Sequence, residues 1–502
     1  MIQQEPIIRR SAMSSCALCD NAPCDTACTH ALHPSRLLRS IWFANEQTAA
    51  LSLPEQNPCL MCSAPCEHSC LREGDVPIRD LINRLVYQVR PVAETPVPQD
   101  TSRLASDICG IPLENPFLLS SSVVSSSYDM CARAFEMGWA GAAYKTICTL
   151  DIHEASPRYS AITGDNGTII GFKNIEQLSD HSVTENMEIF RRLKKNYPSK
   201  FLLASIMGQS DDEWRDLARM CQDNGADAVE LNFSCPNMVE NGLGSDIGEI
   251  PELVERFTEA AVSGCSIPVL AKLTPNVSSM IPSALAARRG GARGISAINT
   301  IKSVMDLNIH TFVSSPPVHG ESAVGGYSGN AVRPIALRFV SEIMGDPRLA
   351  DLHMSAMGGI ETWMDALDFI LLGARSVQVT TAVMQYGYRV IDDLISGLNL
   401  YMAEKGFARI QDMTGLGLDS LRSKSTHLER DTVLFPKFLH EKCIGCGRCR
   451  LSCRDGGHQA ICMDESGRPK LDGSRCVGCH LCLLVCPANA IVPSGKRVTP
   501  RR

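Results

Sequence analysis

Sixteen of the 23 cysteines in this 502-residue chain fall into four tight runs. The C-terminal stretch CIGCGRCRLSC supplies Cys443, Cys446, Cys449 and Cys453, and CVGCHLCLLVCP supplies Cys476, Cys479, Cys482 and Cys486. Both read C-x2-C-x2-C-x3-C, and Pro487 follows the second. That is the bacterial ferredoxin spacing for 4Fe–4S clusters, in which the fourth cysteine of each run ligates the other cluster. It predicts one cluster on Cys443, Cys446, Cys449 and Cys486, and another on Cys453, Cys476, Cys479 and Cys482. Two structural zinc sites are the alternative, but zinc sites usually show paired ligand motifs rather than runs of four. Cys462 lies off the pattern and reads as a buried apolar filler.

The N-terminal runs CALCDNAPCDTAC and CLMCSAPCEHSC supply Cys16, Cys19, Cys24 and Cys28, then Cys59, Cys62, Cys66 and Cys70. A helical connection, SRLLRSIWFANEQTAALSL, joins them. The spacings differ from the ferredoxin pattern, but eight thiolates still suit two further clusters, with zinc again the alternative. Cys235 belongs to no run. It stands in ELNFSCPN beside Asn232, Ser234 and Asn237. Taken alone, it reads as a small buried residue next to a turn proline. Cys109, Cys131, Cys148, Cys221 and Cys265 have no such neighbours and keep that reading.

These side chains need a scaffold. The middle of the chain alternates short apolar runs with longer helical patterns that stop at glycine. The strand candidates are NPFLLSSS, GAAYKTI, FLLASIMG, AVELNFSC, PVLAKLTP, GISAINT, LHMSAMGG and SVQVTTAV. Eight buried strands alternating with helices predict an α/β fold, a (β/α)8 TIM barrel, with an open doubly wound sheet as the alternative. The predicted layout is an α-helical iron–sulfur module over residues 1–95, a barrel over 96–430 and a two-cluster ferredoxin-like domain over 431–502. The Pro-rich stretch from Val89 to Asp100 reads as an extended linker, and a second boundary is expected between Ser425 and Pro436.

A barrel puts chemistry at the C-terminal ends of its strands, where Lys145, Asn232, Cys235, Lys272, Asn299, Gly358 and Gly359 fall. Lysines there suit a reduced flavin anion. Glycine amides at a strand mouth and helix start, with the Thr380 and Thr381 hydroxyls, suit a phosphate. Together they point to flavin mononucleotide (FMN). No G-x-G-x-x-G follows a strand, so a Rossmann dinucleotide domain is not expected. A formal charge of −7 argues against a nucleic-acid footprint. No apolar run is long enough to span a membrane, and the N-terminus lacks a signal-peptide core, so a cytoplasmic protein is expected. In a reducing compartment many cysteines mean metal or catalysis rather than disulfides.

The barrel segments YKTI, GFKNIEQ, ASIMG, ELNFSCPN, AKLTPN, INTIKS, GGYSGNAVRPIALRF, GGIETW and QVTTAVMQYGY resemble the dihydropyrimidine and dihydroorotate dehydrogenase superfamily. The N-terminal runs resemble the cluster domain of dihydropyrimidine dehydrogenase and of the glutamate synthase small subunit. The resemblance implies that Lys145 and Lys272 contact FMN and that Gly358, Gly359, Thr380 and Thr381 hold its phosphate. It implies that Asn174, Asn232, Ser234, Asn299 and Thr300 bind a pyrimidine, with Cys235 as general acid. It also groups Cys16, Cys19 and Cys24 with Cys70, and Cys28 with Cys62 and Cys66. The family's remaining ligand is a non-cysteine side chain further on. The corresponding region here holds Ile82 and Asn83, and Ile82 cannot ligate iron, which leaves Cys59 as the substitute.

The implied activity is reduction of the 5,6-double bond of uracil and thymine. Electrons would come from an NAD(P)H- and FAD-binding partner subunit, or from a ferredoxin, and homo-oligomers are a further expectation from the family. A dihydroorotate dehydrogenase is one alternative, with Asn237 in its favour. An electron-transfer module serving another enzyme is the second. The segments NMVENGLGSDIGE and SSPPVHGESAVGGYSG read as candidate lids.

Overall fold

The apolar runs become strands because each can bury both faces, and parallel strands need cover on both sides. The computed structural model describes residues 6–72, 75–93, 95–164, 167–236, 244–421 and 428–498. In it the eight expected runs form β1 (Phe117–Leu119), β2 (Gly141–Ile147), β3 (Phe201–Ile206), β4 (Ala228–Asn232), β5 (Val269–Lys272), β6 (Gly294–Ala297), β7 (His353–Met357) and β8 (Ala374–Val379). They close in sequence order into a barrel of parallel strands, not an open sheet. Every residue of β2 to β6 is buried. A helix returns after each strand, such as Val183–Asn196 after β2 and Trp363–Leu371 after β7. The helix after β2 opens on a capping box between Ser182 and Glu185, which satisfies orphan amides at its first turn.

A four-stranded sheet stands outside the barrel. Two strands (Tyr159–Thr163 and Ile169–Asn174) follow β2, and two (Ile301–Ser303 and Gly325–Ser328) follow β6. Gly326 pairs with Asn174, which carries Asn174 to the barrel mouth. At Gly171 an added Cβ would sit 1.6 Å from the Tyr327 hydroxyl oxygen, so a side chain there would push the Tyr327 ring aside.

Residues 1–420 make one compact unit and 421–502 another. In the first unit the N-terminal helices Pro34–Trp42, Glu46–Ser52 and Ile78–Arg84 share one apolar core with the barrel. Asp393 on the last barrel helix accepts hydrogen bonds from Arg39 Nε (2.8 Å), Ser40 Oγ (2.6 Å) and Asn45 Nδ2 (3.2 Å). Trp363 Nε1 donates to the Ala44 carbonyl at 2.9 Å, and Arg389 donates to the Leu18 carbonyl at 2.6 Å. The stretch expected to be an extended linker begins as helix, through Leu85–Val89 and Arg90–Val92. Leu81, Leu85 and Val89 are fully buried and four residues apart, so one apolar face carries the helix onward.

In the second unit Val433–Phe438 pairs with Ile491–Val498, and Ile461–Met463 with Pro469–Leu471. Cys462 is exposed rather than a buried filler, because strand alternation turns its neighbour Ile461 inward. Part of the boundary expected at Ser425 lies outside the described residues. No helix among the described residues is long and apolar enough to cross a membrane.

Candidate active site and cysteine cavities

The C-terminal ends of the barrel strands surround an open cleft. Lys145, Asn174, Asn232, Cys235, Lys272, Asn299, Thr300, Gly358, Gly359, Thr380 and Thr381 all line it. Ser234 does not. It lies fully buried behind the wall and ties two amides together. Its Oγ donates to Asn232 Oδ1 at 2.8 Å and accepts from Asn299 Nδ2 at 2.9 Å. Asn232 Nδ2 in turn donates to Thr146 Oγ1 at 2.9 Å, and Asn299 Oδ1 accepts from the Thr300 amide at 2.8 Å. This network fixes the amide orientations before any ligand arrives. Cys235 is 7% exposed, and its carbonyl accepts from the Ser245 amide at 3.0 Å. Asn237 and the first half of NMVENGLGSDIGE lie outside the described residues.

Both lysines are buried and paired. Lys145 Nζ lies 2.8 Å from Glu176 Oε1, and Lys272 Nζ lies 3.5 Å from Glu230 Oε1. Tyr159 donates to Glu176 Oε2 at 2.9 Å. Burial, and then the Glu176 charge, push the Tyr159 phenol well above its usual range, so it stays a donor. Glu176 and Tyr159 were not singled out in the sequence. Glu176 stands two residues past Asn174, just beyond the end of its strand. The segment SSPPVHGESAVGGYSG is anchored by buried Lys173, whose Nζ donates to the Ser315 carbonyl (2.9 Å) and the Ala323 carbonyl (2.7 Å). Its last residues form the Gly325–Ser328 strand, which places Tyr327 and Ser328 in the cleft.

The cleft fits a flavin mononucleotide. Gly358 and Gly359 have φ of +125° and +78°, and a Cβ on Gly359 would meet the Gly329 carbonyl at 2.9 Å. Only glycine gives that turn, and it lines the cleft together with a group of hydroxyls. There Thr381 Oγ1 is 3.0 Å from Ser328 Oγ, and Thr380 Oγ1 is 3.2 Å from Ser122 Oγ. The helix N-terminus expected to help is already occupied. Asp365 Oδ2 accepts from the amides of Glu361 (3.0 Å) and Thr362 (2.8 Å), which leaves the phosphate to the glycines and hydroxyls. Deeper in the cleft, buried Gln378 Oε1 has no hydrogen-bond partner. It is an acceptor waiting for a ring N–H.

The sixteen clustered cysteines line four small cavities. Cys443, Cys446, Cys449 and Cys486 line one, and Cys453, Cys476, Cys479 and Cys482 another. Cys16, Cys19, Cys24 and Cys70 line a third, and Cys28, Cys59, Cys62 and Cys66 the fourth. A tetrahedral zinc site would draw its sulfurs to within about 4 Å of one another. Among the described residues no three His, Cys, Asp or Glu side chains converge enough to hold a single ion. Four thiols ranged around a small cavity, rather than drawn onto one point, suit a four-iron cube. Burial pushes the Cys24 thiol up to about 12 and Cys59 and Cys66 up to about 11, so iron must displace their protons.

Residues 103–402 match the family model of dihydroorotate dehydrogenase, and residues 438–492 match that of the 4Fe-4S dicluster domain. The chain is 47% identical over 392 residues to the NAD-dependent dihydropyrimidine dehydrogenase subunit PreA of Escherichia coli (strain K12), covering 78% of this chain and 95% of that protein. It is 37% identical over 339 residues to the chloroplastic dihydropyrimidine dehydrogenase (NADP(+)) of Arabidopsis thaliana, covering 65% and 79% of the two. Among solved structures, ligand-free DHODH from Eimeria tenella shares the barrel fold, with a TM-score of 0.52 at 19% identity, over 64% of this chain and 95% of that one.

Proposed function

Because the chain belongs to the dihydroorotate dehydrogenase family, alongside dihydropyrimidine dehydrogenase subunits, we propose that it reduces the 5,6-double bond of uracil and thymine. The observation that carries this reading is the cleft's balance of amides and charges. Asn174, Asn232 and Asn299 bring three side-chain amides to the cleft, and amide chemistry, N–H donor and C=O acceptor, is the kind that matches the alternating N–H and C=O edge of a neutral pyrimidine. The cations of the wall, Lys145 and Lys272, are each opposed by a glutamate. Among the described lining residues no arginine is left for a substrate carboxylate.

In this reading the three amides orient the flat ring, and Thr300 closes its edge. Lys145 and Lys272 hold positive charge beside the cofactor site, and Gly358, Gly359, Thr380 and Thr381 hold its phosphate. FMN, when bound there, would supply the hydride for ring carbon C6. Cys235 Sγ–H gives its proton to C5 from within the substrate end of the cleft. A thiol with an ordinary pKa of about 8.5 is protonated at neutral pH and can serve. The cysteine cavities hold the clusters that bring electrons. The donor is a partner subunit binding NAD(P)H and FAD, or a ferredoxin.

The test is anaerobic. The holoenzyme is reduced with dithionite, freed of excess, and mixed with uracil, thymine or orotate while the flavin absorbance is followed. Reoxidation by uracil or thymine is expected, slowed about 10²- to 10⁴-fold in Cys235→Ala, the usual size of a general-acid contribution. A second reading, dihydroorotate oxidation, is favoured by the name of the matching family model. Reoxidation by orotate alone would establish it. No reoxidation by any of the three would leave a barrel that only passes electrons on.

A further inference from the structure

The fourth cysteine cavity does not have the ligand set implied by the family resemblance. The two positions expected near the non-cysteine ligand both fail on geometry. Ile82 lines the cavity and is 1% exposed, but its side chain has no donor atom. Asn83 is engaged elsewhere. Its Oδ1 accepts from Asn57 Nδ2 at 2.8 Å, and Asn57 Oδ1 accepts from the Cys59 backbone amide at 3.0 Å. Asn83 thus reaches the cavity only through the loop that carries Cys59. Cys59 is 7% exposed and lines the cavity with Cys28, Cys62 and Cys66. Arg79 lines the same cavity. Its Nη1 donates to the Cys62 carbonyl at 2.9 Å, and its amide donates to Glu67 Oε1 at 2.8 Å.

We propose that Cys59 is the fourth ligand of a 4Fe–4S cluster in this cavity, completing an all-thiolate set with Cys28, Cys62 and Cys66. Asn57 and Asn83 are positioning residues that hold the Cys59 turn. Arg79 sets a cation against the negative charge that thiolate ligation brings. Each Fe–S bond formed replaces an S–H bond and releases its proton. The proposal rests on the cluster reading of the N-terminal cysteines and specifies its least familiar part.

The test uses the full chain, purified without oxygen. Iron, sulfide and zinc are measured per chain, with electron paramagnetic resonance of the oxidised and dithionite-reduced protein. Native protein is expected to hold iron for four clusters. Cys59→Ala is expected to lose one cluster's iron, as Cys66→Ala does, or to lose a single iron and gain the signal of an oxidised three-iron cluster. Native iron and native spectra in Cys59→Ala overturn the proposal. If that variant loses both N-terminal signals through misfolding, Cys59→Ser decides. An altered spectrum from one cluster supports the proposal, and a native one overturns it. Asn83→Ala is expected to shed iron to a chelator faster, whereas Asn83→Asp, which keeps the acceptor, holds the native rate. Iron for only two clusters in native protein, or zinc in place of the rest, overturns the N-terminal cluster reading as well.

Discussion

The two ends of this chain carry the same inventory, eight thiols around two cavities, on very different supports. The N-terminal helices bury Leu37, Leu38, Ile41, Trp42, Phe43, Leu81 and Leu85 in the core they share with the barrel. The C-terminal unit has a small core cluster whose buried members are Cys449, Ile461, Cys482 and Ile491. Two of those four are cluster cysteines. A fold whose core is half ligand depends on what the ligands hold, whereas a fold with its own apolar core does not. Iron bound at the C-terminal end would therefore contribute more to stability than iron bound at the N-terminal end.

Removing the metal tests that contrast most severely. After anaerobic chelation of all iron, hydrogen exchange is expected to show strands 433–438 and 491–498 losing nearly all protection, while helix 34–42 keeps most of its own. Equal loss at both ends would break the comparison. The next largest effect lies at the N-terminal anchor. Asp393→Ala removes the buried acceptor of Arg39, Ser40 and Asn45, while Arg39 keeps its 3.0 Å pair with Asp392, and should cost about 1–3 kcal/mol in denaturant unfolding of the first unit. The unfolding of residues 421–502 should not move. Trp363→Phe removes the bond to the Ala44 carbonyl while keeping an aromatic ring beside Tyr401, and should cost about 1 kcal/mol in the same measurement.

The smallest expected effect depends on pH. Burial raises the Glu46 carboxyl above its usual range, although the Ile7 and Ile8 amides pull it down. A raised acid binds more protons folded than unfolded. Its destabilising contribution therefore grows as pH rises from the ordinary glutamate value, about 4.3, through the folded one. Denaturation midpoints of the first unit should fall over that window in native protein and stay flatter in Glu46→Gln.

Much of this was written locally in the chain. The barrel strands were legible because each is a short apolar run ended by polar or glycine residues. The C-terminal cavities were legible because ligand spacing is a local property. What escaped depends on distant pairing. Ser234 reads as one more ring-binding group until Asn299, on the strand end two further on, is seen to claim its oxygen. Glu176 reads as a solvated charge until Lys145 and Tyr159 meet it. The outer sheet joins Ile169–Asn174 to Gly325–Ser328, across some 150 residues, and no periodicity in either segment announces the other. The helix beyond Arg84 escaped because Pro91 and its neighbours look like a linker, while the burial of Leu85 and Val89 is decided by the surface they meet.

The anchoring of the N-terminal helices by Asp393, Trp363 and Arg389 has a kinetic consequence. A redox module borne on a separate polypeptide must find its flavin domain by diffusion, and dilution slows every turnover that waits on the meeting. Here the meeting takes place once, during folding, and each barrel has one module of its own. Any electron handed between them travels at a rate set by distance and driving force, and protein concentration drops out of the rate law.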